Sequence, residues 1–360
     1  MQLFCGRCTG RRPRLCRVKE LIFIMSKKKI KINYIDFWPG FKKEDNFFSR
    51  ILDKYYDVEI SDNPDYVFCS CFSRKHVKYA DCVKIFYTGE NIIPDFNLYD
   101  YSMGFHYIDF EDRYLRLPHY ALYDQCIKAA KEKHTHSDDY YLAKKKFCNY
   151  VISNPYAAAE RDLMIDALEK YMPVDSGGRY RNNVGGPVAD KVEFASHYRF
   201  SMAFENSAMS GYTTEKIFDG FAACTIPIYW GSDRIKEEFN PESFVSARDF
   251  ENFDQVVARV KEIYENDDLY LKMMKAPIAP EGFQAHECLK EDYADAFLRN
   301  IFDQDIDKAK RRNMVYVGRD YQKKLKDANK VIEVLDVVKK PMHQFNKTKS
   351  QIASKFRKKK

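Results

Sequence analysis

No apolar run in this 360-residue chain approaches the roughly 18 residues a helix needs to cross a bilayer; near the start the longest is residues 21–25, Leu-Ile-Phe-Ile-Met. This argues against a membrane-spanning enzyme, and the run is also shorter than the apolar core of a cleavable signal peptide. The ten cysteines offer no disulfide framework: Cys69 and Cys71 are close together, while Cys82, Cys126, Cys148, Cys224 and Cys288 stand alone. Free thiols in a reducing cytoplasm account for them. Cys5, Cys8 and Cys16 are followed by no second pair at metal-ligand spacing, so no zinc site is expected. Four glycines crowd residues 176–187 without forming a phosphate-binding glycine motif, and the segment reads as a mobile loop.

Two cores fit into this length, and a 45% hydrophobic content with 26 Tyr and 27 Phe favours packed α/β domains over a disordered chain. Positive charge is concentrated at the end. Residues 308–360 carry eighteen Lys and Arg against four Asp and Glu, a net +14, which leaves −7 for the rest of the chain. Within that stretch Leu325, Ala328, Val331, Ile332, Leu335 and Val338 recur at helical spacing until Pro341, where the helix is expected to break. A basic amphipathic tail suits an anionic membrane surface, and a solubilising or disordered tail would carry the same charge. No nucleic-acid reading motif accompanies it. Residues 1–24, rich in cysteine and arginine, read as an extension or a misassigned start, because a basic leader and a first strand begin at Met25.

Strands are predicted at residues 30–34, 66–69, 83–87, 151–153, 198–204 and 226–230, with helices between several of them, and residues 131–146 are the expected linker. His134 and His136 lie in that polar linker and are expected to face solvent. The densest chemistry lies in residues 198–232. An apolar strand runs into Glu205-Asn206-Ser207, Thr213 and Thr214 offer a helix N-cap, Glu215 and Lys216 open the helix, and a second strand ends at Gly231. Ligands of open α/β sheets bind at the carboxyl ends of strands, and free backbone N–H groups at such a helix start, with Lys216, would cradle phosphates. By pattern alone this is also an ordinary βαβ unit with a solvated helix start.

The run from Phe204-Glu205-Asn206-Ser207 through Tyr212, Thr214-Glu215-Lys216-Ile217, Asp219 and Thr225-Ile-Pro-Ile-Tyr-Trp-Gly-Ser232 resembles the signature of the α1,3-fucosyltransferases of glycosyltransferase family 10, most closely their bacterial branch, including those of Helicobacter. Residues 86–120, containing Thr88-Gly89-Glu90-Asn91, resemble the acceptor motif of that family. Residues 147–161, read as a strand ending in a Ser-Asn-Pro turn and followed by a helix that runs to about residue 171 and carries Arg161, resemble its pyrophosphate-contacting segment. The resemblance covers about residues 29–302 and implies a GT-B fold of two Rossmann-like domains facing across a cleft, with a basic helical tail. Residues 25–146 would bind the acceptor, residues 147–305 would bind GDP-fucose and residues 306–360 would form the tail.

It implies an inverting transfer of L-fucose from GDP-β-L-fucose to the 3-hydroxyl of N-acetylglucosamine or glucose in an N-acetyllactosamine-type glycan. Such a displacement needs a base for the acceptor proton and cations for the departing diphosphate. Glu90 and Glu215 would be catalytic, Glu90 as the base, and Arg161, Asn206, Tyr212, Glu215 and Lys216 would hold the donor. No cofactor is required, and a divalent cation is allowed but not implied, since two cations and a helix dipole can serve the phosphates and no Asp-X-Asp triplet ends a strand near this site. The enzyme would be cytoplasmic, peripheral on the inner face of the membrane through its tail, and would bind no nucleic acid. The heptad repeats that many bacterial relatives carry near their ends are not evident. A different nucleotide-sugar transferase of the same fold, or a non-catalytic glycan-binding protein, would share some of these features, but the latter would not need Glu90, Arg161 and Lys216 together.

Overall fold

Short runs of β-branched and aromatic residues form the first sheet of this computed structural model, which describes residues 27–357. Its strands are β1 (Lys28–Ile35), β2 (Tyr56–Ile60), β3 (Tyr66–Cys69), β4 (Val83–Tyr87), β5 (Tyr101–Gly104) and β6 (Tyr114–Arg116), all parallel in the order β2-β1-β3-β4-β5-β6. Every residue of β3, β4 and β5 is buried, as a parallel sheet covered on both faces requires. Helix α1 (Phe47–Tyr55) connects β1 to β2; the Asn46 side chain caps it by accepting from the N–H groups of Phe48 and Ser49, both at 3.0 Å. Helix α2 (Asp124–Glu132) then leads to the second sheet.

That sheet comprises β7 (Lys146–Tyr150), β8 (Val174–Ser176), β9 (Tyr198–Phe204), β10 (Ile226–Trp230) and β11 (Val245–Ser246), again parallel, in the order β11-β10-β9-β7-β8. Helices α3 (Asp138–Leu142), α4 (Glu160–Glu169), α5 (Lys191–Ala195), α6 (Glu215–Ala222), α7 (Ile235–Glu238), α8 (Phe253–Glu265) and α9 (Asp267–Lys275) surround it. The expected strand at residues 151–153 is instead the loop beyond β7. The ladder ends at the Tyr150–Ser176 pair, after which the N–H of Tyr180, in the glycine-rich segment, donates to the Ile152 carbonyl at 2.9 Å.

The chain then returns to the first sheet. Helices α10 (Gln284–Cys288), α11 (Asp295–Asp303) and α12 (Ile306–Ala309) share the first core, where the Phe302 ring lies 4.5 Å from Tyr66 and 5.6 Å from Tyr56. Beyond them the buried Arg312 donates from Nε to Asp100 Oδ2 at 2.8 Å. Asp100 also accepts from the N–H groups of Lys84, Arg311 and Arg312. The stretch expected to close the donor domain and begin the tail therefore completes the first unit. The long helix α13 (Val317–Arg357) follows, and the Tyr321 hydroxyl donates to Asp95 at 2.9 Å.

Three further expectations differ from what the structure contains. Helix α13 continues through Pro341, because one missing N–H removes a single turn bond without ending a long helix. Residues 131–146 are largely helical, and within them Lys133 is buried and donates to the carbonyls of Met273 and Met274. The glycine-rich segment is laced together: the Asn182 amide donates to the carbonyls of Ser176, Gly178 and Gly186, and its oxygen accepts from Gly186 N–H. Residues 1–26 and 358–360 lie outside the described residues, and with them the proposed extension, Cys5, Cys8 and Cys16; so do the side chains of 124–126 and 338–357, including Cys126 and Val338. Among the described residues no helix is long and apolar enough to cross a membrane.

Candidate active site

In each sheet the first strand sends its connections in opposite directions, which opens a crevice at the carboxyl ends of β1 and β3 in one unit and of β7 and β9 in the other. The loops at these two edges meet. Residues 88–91 leave β4, and Glu90 is exposed there, its N–H donating to Thr88 Oγ1 at 3.1 Å. Gly89 lets this loop approach His119, since a Cβ at Gly89 would stand 3.2 Å from the ring Nε2. His119, just past β6, in turn sets Nδ1 3.0 Å from Glu215 Oε2 at the start of α6. A second join is Asn91 Nδ2 donating to Ser207 Oγ at 2.8 Å. Thus Glu90, from the first unit, and the first turn of α6, from the second, share one cleft.

The second edge is dense in charge. Thr214 caps α6 as expected, but its own N–H and hydroxyl donate to Glu205, at 2.7 Å from the N–H and 2.8 Å from the hydroxyl to the nearer oxygen. Lys216 Nζ donates to the same carboxylate at 2.8 Å. The N–H of the cap residue and the Lys216 ammonium therefore already engage the chain's own fully buried Glu205. Gly231 makes that placement possible, because a Cβ there would come within 2.6 Å of Glu205 Cγ. Burial pushes the Glu205 carboxyl up, against the pull of Lys216. Burial also opposes charge on Lys216, yet Glu205 and Glu215 outweigh it and raise its pKa. The geometry favours the ion pair, since three donors converge on one carboxylate.

Glu215 is held well below the usual carboxylate range: burial disfavours its charge, but the His119 hydrogen bond and the Lys216 cation prevail. One turn on, burial pushes Asp219 up to about 6, with Lys191, 3.6 Å away, pulling the other way. Lys191, Glu215, Lys216 and Asp219 line one cavity with Asn149 and Tyr150 at the crevice between β7 and β9. Tyr212 is buried, its ring edge-on to Phe105 at 4.9 Å. Asn206 is half-buried at the end of β9, its carbonyl accepting from Ala158 N–H.

Arg161, only 1% exposed, lies beneath the residue 153–155 loop. It donates to the carbonyls of Asn154 at 3.1 Å and Pro155 at 2.9 Å and sits 4.9 Å from the Tyr180 ring centroid, and its Nε has no hydrogen-bond partner. The structure thus gathers Glu90, Asn206, Tyr212, Glu215 and Lys216 around the cleft and sets Arg161 behind a loop that borders it.

Sequence reasoning missed His119, Glu205, Lys191 and the interface residue Glu238. Glu205 stood within the recognised signature, but nothing local marks it as the partner of Lys216. The fully buried Glu238 draws Arg116 (2.7 Å), Tyr120 (3.0 Å) and Thr213 (2.9 Å) together across the units, a convergence of segments far apart in sequence. Among the described residues no group of three or more His, Cys, Asp or Glu is arranged to hold a metal ion.

Two parallel-sheet units closing on a charged cleft define a glycosyltransferase architecture of the GT-B type. Residues 32–123 match the family model for the α-(1,3)-fucosyltransferase FucT N-terminal domain, and residues 141–276 match glycosyltransferase family 10 (fucosyltransferase), C-terminal part. A crystal structure of an α1,3-fucosyltransferase aligns with a TM-score of 0.68 and 32% identity over 78% of this chain and 92% of that one. A crystal structure of an α1,3-fucosyltransferase with GDP-fucose aligns at 0.66 and 31%, with the same coverage. The chain belongs to glycosyltransferase family 10. Among curated relatives, the α-(1,3)-fucosyltransferase FucT of Helicobacter pylori is 38% identical over 260 residues, 62% of this chain and 54% of that protein. The chain spans about half the length of the curated relatives it matches first.

Proposed function

We propose that this protein is an inverting α1,3-fucosyltransferase that moves L-fucose from GDP-β-L-fucose to the 3-hydroxyl of N-acetylglucosamine, or the equivalent glucose, in an N-acetyllactosamine-type glycan. The observation that carries the reading is the meeting of the Glu90 loop with the α6 start, in a chain that aligns with an α1,3-fucosyltransferase solved with GDP-fucose. Glu90, an exposed carboxylate at a strand end, takes the acceptor proton as the 3-oxygen attacks the anomeric carbon. The bond to the diphosphate breaks as the new glycosidic bond forms on the opposite face, and GDP leaves with the electron pair.

Lys216 and Lys191 meet the departing charge, and Arg161 acts from beneath the residue 153–155 loop. Glu215, kept ionised by His119, faces the developing positive charge on the fucose ring, while Asn206 and Tyr212 position the donor. No cofactor takes part, so a chelator leaves the rate intact. The enzyme works on the cytoplasmic face of the membrane, where the basic tail meets anionic lipid and no nucleic acid is bound. Incubating the protein with GDP-fucose, GDP-mannose and UDP-sugars against a panel of lactosamine acceptors tests the reading. Fucose transfer from GDP-fucose alone is expected, and transfer from another donor in preference would overturn it.

A further inference from the structure

The first sheet has its own crevice, between β1 and β3, and no residue discussed so far occupies it. The loops that border it are locked together by one side chain. Asp36, at the end of β1, takes a left-handed backbone with φ of 67°, uncommon for a residue with a Cβ. Its buried carboxylate accepts from the hydroxyl of Ser73, from the N–H of Lys75 at 2.9 Å and from the N–H of His76 at 3.0 Å, and lies 2.6 Å from His76 Nδ1. Its carbonyl accepts from Phe72 N–H at 2.9 Å. Backbone strain held in place by this many bonds is concentrated at ligand sites rather than in plain connections.

This lock presents aromatic rings. Phe37 stacks on Phe41 with ring centroids 4.1 Å apart, Trp38 meets Phe41 edge-on at 5.1 Å, and Phe72 stands edge-on to Trp38 at 6.1 Å. Trp38 is half-buried and Phe72 is 44% exposed, although a soluble fold gains by covering rings of that size. The platform adjoins the proposed base. Next to Phe72, Cys71 Sγ lies 3.0 Å from Thr88 Oγ1, the atom that accepts from Glu90 N–H, and the Glu90 charge acts on the Cys71 thiol.

Resting on the transferase reading above, we propose that Trp38 and Phe72 form a second acceptor subsite, where the neutral hexose linked to the fucose-accepting sugar lays its C–H face on the rings. The rings in mutual contact here, Phe37, Trp38, Phe41 and Phe72, carry no charge, which fits an uncharged pyranose better than a nucleotide diphosphate. Asp36, with Ser73 and His76, is the positioning group that fixes the two loops.

The test compares lactosamine with N-acetylglucosamine as acceptors. In Trp38→Ala and Phe72→Ala the preference in kcat/KM for the disaccharide should fall by about tenfold, a loss of the size typical for one aromatic contact, and Trp38→Phe should recover part of it. GDP affinity measured by calorimetry, together with the melting temperature, establishes that each variant is folded. Parallel losses on both acceptors, or an unchanged preference, would overturn the subsite. A readout that needs no turnover is saturation-transfer NMR of lactosamine with the GDP-loaded protein: the distal-ring signal should be strong in the parent protein and collapse in Trp38→Ala, and its persistence would overturn the subsite. If the parent protein transfers no fucose to any acceptor, the activity assignment fails, and the NMR arm still decides whether the rings hold a sugar.

Discussion

The carboxyl edges of the two sheets face one cleft but hold their chemistry in opposite ways. On the first, Glu90 is exposed and the rings of Trp38 and Phe72 are partly bare, so the groups are ready before any ligand arrives. On the second, nearly every charge is engaged: Lys216 with Glu205, Glu215 with His119, Lys191 with Asp219, Arg161 with two carbonyls. A cation bonded to an internal carboxylate does not have to be stripped of water when a diphosphate arrives, but it must be shared or released. The first edge is therefore preformed, and the second is a set of charges awaiting exchange of partners.

The comparison presumes that the first unit is whole, and this is where the largest effect is expected. Asp100→Ala strands the buried Arg312 guanidinium and three N–H groups, so it should cost about 3–5 kcal/mol of stability, read as a lowered denaturant midpoint. A truncation at residue 308 removes Arg312 and should do the same, whereas one after Tyr316 should leave a folded unit. Equal stability of both truncations would show that the Arg312 strap does not close the core.

The open side breaks next. Glu90→Ala should lower turnover by about a hundredfold or more while GDP binding measured by calorimetry survives. Near-normal transfer by the folded variant would remove Glu90 from the role of base.

On the closed side, Lys216→Ala should weaken GDP binding by about 1.5–3 kcal/mol, the range for hydrogen bonds to charged groups, and should also lower stability by leaving Glu205 buried without its cation. Adding Glu205→Gln to it should recover the melting temperature but not the GDP affinity. Recovery of both would mean that the lysine serves only the fold.

The smallest effect sharpens the contrast through pH. Asp219 ionises near pH 6 in the folded chain against about 3.8 when unfolded, so the folded state holds its proton longer. Stability should then fall as pH rises from about 4 to 6, by on the order of 2 kcal/mol, and Asp219→Asn should flatten that window. An unchanged slope in the variant would assign the loss to another group.

What the sequence made legible follows the same division. Strands β3, β4, β9 and β10 have the residue limits read from their apolar runs, and Thr214 is the cap of α6, because each rests on a local pattern. Short strands such as β6 and β8, three residues each, were invisible because alternation needs length. The pairing of Glu205 with Lys216 is hidden because they stand eleven positions apart across loop and helix, and the return of Phe302 and Arg312 to the first core is hidden because more than two hundred positions separate each from its partner there. Composition marked the terminal charge but not where the fold ends, since Arg312 counts as tail by charge and as core by packing, and the Arg311 N–H bonds the same buried carboxylate.

Arg312 also gives the long helix a fixed bearing. Helix α13 departs within a few residues of that strap, and its first half stays beside the first unit, with Tyr321 on Asp95 and Asp336 3.7 Å from Arg74. Whatever surface the far end of this helix touches, the torque is delivered first to the half that carries Glu90 and the aromatic platform, and reaches the second sheet through the buried Glu238 contacts. An object tethered in this way presents the same flank to its support at every encounter.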